Sequence, residues 1–137
     1  MSKTATEVRP NMFPFMRYHD APAAIEWLVR AFGFEKKVAY PAPDGSIGHA
    51  ELRYGPGVIM LGSCKEDKLN LTSPRDLPAV NQGTYIHVDA IDEHFERARG
   101  AGAEIVIELR NTDYGSREYV ARDLEGQLWS FGTYYPE

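Results

Sequence analysis

In the segment GHAELRY, His49 and Glu51 stand two residues apart. An imidazole beside a carboxylate can take up or release a proton near neutral pH. In a strand both side chains point to one face. The plain alternative is a histidine bonded within a sheet and a glutamate paired with Arg53 or Arg17. In MFPFMRY the side chains of Phe13, Phe15 and Arg17 share a parity, as do those of Gly83, Tyr85 and His87 in GTYIH. Rings at that spacing can hold a flat ligand by offset stacking, or they can be ordinary core. Arg117 can grip an anionic group with two hydrogen bonds, and a surface ion pair is the competing role. Tyr119 offers a hydroxyl and a stacking face. His19, beside a helix cap, and His94, on a helix exterior, are expected in solvent. Cys64 has no base beside it, and the chain shows no glycine-rich phosphate loop, serine elbow or paired cysteine spacing.

The elements that must position these residues repeat. DAPAAIEWLVRAFGFE from Asp20 matches DAIDEHFERARGAGAE from Asp89, each with an aspartate suited to cap a helix and a glycine, Gly33 or Gly102, suited to end it. Ile25, Leu28, Val29 and Phe32 fall on one helical face, as do Ile91, Phe95 and Ala98. DGSIGHAELRYGPGVIMLGS from Asp44 then matches YGSREYVARDLEGQLWSFGT from Tyr114. Each half therefore reads as strand, helix and three strands. Strands are expected near 12–18, 35–41, 47–54, 57–62, 83–88, 104–110, 116–122 and 127–134. The reading is α+β: one domain over 1–137, with module one at about 12–62, a linker at 63–81 holding two prolines and mixed charge, and module two at about 82–135. A half of this size is marginal alone, a physical reason for both to share a core.

Pairing across a tight turn at Asp123–Gly126 puts Tyr119 opposite Ser130 and Val120 opposite Trp129. The same register in module one puts His49 opposite Met60 and Ala50 opposite Ile59. One face then collects Ala50, Leu52, Ile59, Leu61, Val120, Trp129 and Phe131 and should pack under the helices. The other collects His49, Glu51, Arg53, Val58, Met60 and Gly62, with Arg117, Tyr119, Ala121, Leu128, Ser130 and Gly132 from module two. That mixed face reads as the wall of a cleft, and its glycines as residues leaving space.

Composition narrows the function classes. The 137 residues are 43% hydrophobic and 26% charged, with a net charge of -5. No basic stripe suits a nucleic acid, no run approaches the roughly 18 apolar residues of a membrane span, and MSKTATEVRP carries no apolar leader. A single cysteine excludes an internal disulfide. A cytoplasmic setting is expected.

Paired βαβββ modules with the motifs DAPAAIEWLVRAFGF, GHAELRYG with GVIMLGS, and YGSREYVARDLEGQLWSFGTY resemble the glyoxalase/bleomycin-resistance/dioxygenase (vicinal oxygen chelate) superfamily over nearly the whole chain. The closing motif resembles the bleomycin-resistance and PhnB-like branch. The resemblance implies an open cup-shaped mixed sheet with helices on its outer face, and a homodimer. Metal-dependent members place His or Glu on the first and last strands of each module. Carried over, those positions are Phe13, Met60, Gly83 and Ser130, which are not usual ligands for zinc, nickel or iron. No metal or other cofactor is expected. A displaced site built from His49, His87 and Glu51 is the variant to test.

Two function classes stay open. One is a metal-independent protein binding an aromatic or hydrophobic small molecule through Phe13, Phe15, Arg17, His49, Glu51, Met60, Tyr85, His87, Arg117, Tyr119 and Ser130. The other is a glyoxalase-like lyase or isomerase, or a dioxygenase-type enzyme, using His49 and Glu51 as acid and base or a non-standard metal site. A third reading makes the mixed face a partner surface.

Overall fold

The structure, a computed structural model, describes residues 9–137. Residues 1–8, the start of the domain expected over 1–137, lie outside the described residues. Strand β1 (Phe15–Tyr18) leads to helix α1 (Ala21–Phe32), then to β2 (Glu35–Pro41), β3 (Ile47–Tyr54) and β4 (Gly57–Ser63). After a segment holding one 3₁₀ turn (Pro74–Asp76) the plan repeats: β5 (Gly83–His87), α2 (Ile91–Gly100), β6 (Glu104–Asn111), β7 (Arg117–Arg122) and β8 (Leu128–Gly132). The two mixed sheets run β1-β4-β3-β2 and β5-β8-β7-β6, with the first and last strands of each module parallel. No helix among the described residues is long and apolar enough to cross a membrane.

Helix α1 forms where the sequence asks for it. The Asp20 carboxylate accepts the N–H of Ala23, Pro22 lies in the first turn, and Gly33 ends the helix at φ 81° with its N–H on the Val29 carbonyl. The expected Asp89 cap does not form. Ala90 holds the cap position of α2 with no side-chain bond, while Asp89 turns to His87 at 3.3 Å.

One core serves both modules. The Trp27 indole donates to the Ala101 carbonyl at 2.9 Å, and the Phe32 ring of α1 lies 4.7 Å from Phe131 and 5.8 Å from Trp129, both on β8. The first helix thus covers apolar surface of the second sheet, which removes from water what neither half hides alone.

In module one the expected faces hold: Met60 pairs with Glu51 and Leu61 with Ala50, two residues from the expected partners, a shift that keeps the alternation. In module two β7 is inverted: Tyr119 pairs with Phe131 and Ala121 with Trp129, all four buried, while Val120 pairs with Ser130 on the opposite, open face. The cause is one residue. Residues 54–57 separate Arg53 from Val58, whereas residues 123–127 separate Arg122 from Leu128. Because strand side chains alternate, one added loop residue exchanges the faces of the strand before it.

The longer loop also joins the modules. Asp123 Oδ2 accepts the Tyr18 hydroxyl at 2.7 Å and the Trp129 indole at 3.0 Å, while its Oδ1 accepts the N–H groups of Glu125, Gly126 and Gln127. Burial pushes this carboxyl up, and the hydrogen bonds pull against it. Glu125 accepts the backbone N–H of His19 and Asp20 at 2.7 and 2.8 Å and the Ser73 hydroxyl at 2.6 Å. Burial alone would raise Glu125, but these donors outweigh it and hold the carboxyl below its ordinary value.

Candidate functional site

A cleft of about 870 Å³ opens between the modules. Its floor is Phe34, Ile59 and Val88, all buried. The β3–β4 turn, with Tyr54 and Val58, forms one wall; β5, with Tyr85, Ile86 and His87, forms the other. His87 bonds Asp89 and meets the edge of Tyr135 at 5.1 Å. Arg97 closes one end while donating to the carbonyls of Arg30 and Val29 at the end of α1. An apolar floor with His87, Asp89, Glu93 and Arg97 among the polar groups around it suits a small organic molecule. Of the expected ligand-binding residues, Tyr85 and His87 line this cleft.

Others share the open face of sheet one. His49 and Glu51 lie 2.9 Å apart, Lys37 reaches Glu51 at 3.2 Å, and the Tyr40 ring stacks on His49 at 6.2 Å. The His49 and Lys37 contacts hold the Glu51 carboxyl below its usual range. The expected partners of Glu51 are engaged elsewhere: Arg53 on Glu35, Arg17 on Asp67. Phe15 pairs with Met60 on this face, while Phe13 precedes β1. The Arg17 side chain is 11% exposed, and its buried Nη1 meets no partner among the described residues. Arg17 and Phe15 also border a second hollow beneath the linker. Ser130 lies on the open face of sheet two, paired with Tyr85 and Val120.

Three placements differ from expectation. Tyr119 is fully buried on the helix-bearing face. Arg117 shares that face and binds Asp92 of α2 at 2.7 Å. His94 is buried rather than solvated, its Nδ1 2.7 Å from the Tyr119 hydroxyl and its Nε2 2.8 Å from the Phe32 carbonyl. The carbonyl can only accept, so Nε2 carries the proton and Nδ1 accepts from Tyr119. Burial lowers the His94 pKa to about 4. The same inversion hid Glu118, which lies on the open face; carrying the 69-residue helix offset through β7 pairs Glu118, and not Tyr119, with His49.

The glycines serve close packing here. A Cβ on Gly62 would lie 3.0 Å from the Gly48 carbonyl oxygen, and one on Gly132 would lie 2.5 Å from the Glu118 Cγ. Neither leaves the open space expected of it.

A profile of the Glyoxalase/Bleomycin resistance protein/Dioxygenase superfamily matches residues 13–131, and the chain belongs to that superfamily. The crystal structure of TioX from Micromonospora sp. ML1 is similar, with 35% identity and a TM-score of 0.73 over 92% of this chain and 99% of that one. The uncharacterized protein Rv0887c of Mycobacterium tuberculosis is 32% identical over 133 residues, 93% of this chain and 76% of its own length. The fosfomycin resistance protein FosX from Listeria monocytogenes, complexed with Mn(II) and sulfate, shares the fold at 12% identity and a TM-score of 0.67 over 94% of this chain and 95% of that one.

The positions at which metal-dependent members place their ligands do not suit a metal in this chain. β1 and β5 place Phe15 beside Met60 and Tyr85 beside Ser130, in place of the expected Phe13 and Gly83. A phenyl, a thioether, a phenol and a primary alcohol are poor partners for zinc, nickel or iron. His49 and Glu51 stand on one sheet and His87 on the other, and among the described residues no three His, Cys, Asp or Glu side chains converge.

Proposed function

We propose that this chain is a small-molecule binding protein of the bleomycin-resistance type, holding an aromatic or hydrophobic compound between its modules without a metal of its own. The observation that carries this reading is the cleft of about 870 Å³, floored by Phe34, Ile59 and Val88 and rimmed by Tyr54, His87 and Tyr135. A flat apolar body gains by leaving water for such a floor, and the rim offers rings at its edges. The test is a thermal-shift screen of planar aromatic compounds, with and without chelator. Stabilisation of metal-free protein by several degrees supports the reading. Stoichiometric transition metal in the purified protein, with ligand stabilisation abolished by chelation, would sink it.

A second reading places the ligand on the open face of sheet one, closed by a second copy of the chain. It is favoured by Phe15 and Tyr40, 57% and 60% exposed beside the His49–Glu51 pair. The same pair is where lyase, isomerase or oxygenase chemistry would find its acid and base. A dimer in sedimentation, with ligand binding lost in His49→Ala and kept in His87→Ala, would select this face.

A further inference from the structure

A group of side chains on the open face of sheet two is used by neither reading, apart from Tyr85, which also lines the cleft. Glu118 leaves β7 across β8, where its Cγ and the Tyr85 hydroxyl converge on Gly132 at 2.5 and 2.7 Å from where a Cβ would stand. The glutamate is thereby pressed onto the sheet and is only 7% exposed. Its Oε1 accepts the Tyr114 hydroxyl at 2.7 Å. Among the described residues it forms no ion pair. Arg110, its neighbour on β6, points Nη1 at the Glu118 backbone carbonyl, 3.5 Å away.

The hydroxyls of Tyr114 and Tyr85 approach this glutamate, and the Tyr134 ring stands beside both of theirs. Tyr85 and Tyr134 have ring centres 6.5 Å apart at 58°, and Tyr114 and Tyr134 lie 6.2 Å apart at 88°. The Tyr85 hydroxyl donates to the Tyr134 carbonyl at 2.6 Å, tying the segment after β8 over the site. Tyr114 and Tyr134 are 60% and 49% exposed, so an incoming group can reach them.

The chemistry of this arrangement selects one kind of guest. A carboxylate drawn out of water without a direct ion pair is unfavourable, and one phenol bond, with Arg110 held on the backbone carbonyl beside it, compensates it only in part. Aromatic faces carry negative charge density and attract cations. A divalent metal ion would want several oxygen or nitrogen donors, whereas one carboxylate among rings suits a compact organic cation. The net charge of -5 attracts cations from a distance.

We propose that Glu118, Tyr85, Tyr114 and Tyr134 form a subsite for the protonated or quaternary amine of an organic ligand. The subsite shares Tyr85 with the cleft wall but does not rest on the cleft's being occupied, and its test uses the ammonium group by itself. Isotope-labelled full-length protein is titrated with benzyltrimethylammonium and, separately, with neutral benzyl alcohol, following the amides of Tyr85, Glu118 and Gly132. The ammonium probe shifts these signals saturably and the alcohol does not. Glu118→Gln weakens the ammonium probe at least tenfold, and so does Tyr134→Ala. Tyr134→Ala changes an exposed ring and decides the matter if Glu118→Gln fails to fold. An equal response to both probes, no saturable shift, or wild-type binding by the folded variants would overturn the proposal.

Discussion

Tyr18, at the end of the first strand, donates a hydrogen bond of 2.7 Å to Asp123, 105 residues later, and both side chains are buried. That bond lies in the seam that fixes module two against module one, and so fixes the walls of the cleft between them. Burial raises the Tyr18 phenol well above its ordinary value, and the Asp123 charge adds to the effect, so the phenol stays the donor.

Glu125 completes the seam with bonds from His19, Asp20 and Ser73. Glu125→Ala would leave these donors without their acceptor and should cost about 2–4 kcal/mol. Urea denaturation at neutral pH measures this. Because the folded carboxyl titrates below its unfolded value, its contribution is whole above the unfolded pKa and is lost as pH falls through the folded one.

Trp129 is fully buried, touches Phe32 and Phe34, and donates to Asp123. Trp129→Ala should cost about 3–5 kcal/mol. A melting temperature unchanged by this substitution would contradict the face assignment of β8.

Tyr119→Phe should lower stability by about 1–2 kcal/mol, since it leaves His94 Nδ1 without its donor. Ligand affinity should change by less than about twofold, because Tyr119 itself does not line the cleft and its partner His94 keeps its second bond to the Phe32 carbonyl. Paired unfolding and binding measurements separate the two effects.

His94 gives a pH dependence. Its pKa falls from 6.5 to about 4 on folding, so the neutral ring stabilises the fold above the unfolded value, and the contribution drains away as pH falls between the two. The loss amounts to about 3 kcal/mol. Comparing wild type with His94→Gln between pH 7 and pH 4 isolates it: the variant should show the shallower decline.

In the cleft, His87→Ala should weaken an aromatic ligand about fivefold with little effect on the free protein, since its ring lies at the rim against Tyr135. Isothermal titration of the best compound from the thermal screen checks this.

Much of the architecture was legible because its signals are local. The Asp20 and Gly33 punctuation, the apolar stripe of α1 and the alternation in β3 and β4 each need only a few neighbouring residues. The faces of β7 were not legible. The extra residue between Arg122 and Leu128 sits in a loop, where length is cheap, yet it reverses which side of the strand meets the core. Tyr119 and Arg117 were therefore assigned to the wrong side, and Glu118 was missed. The cleft was hidden for another reason: its walls come from different modules, and no pattern within either half encodes how they meet. His94 looked solvated because a lone polar residue on an amphipathic helix usually is, and its two partners lie 25 and 62 residues away.

The carboxylate of Glu125 has a bearing on how the chain is made. It anchors the backbone where α1 begins, yet it lies 105 residues beyond Asp20, so a ribosome adds it long after that helix has been made. Phe32 likewise waits for Trp129 and Phe131. Module one should therefore stay loosely ordered throughout synthesis and lock only when the last hairpin arrives, and nascent chains stopped before Asp123 should be digested readily by protease.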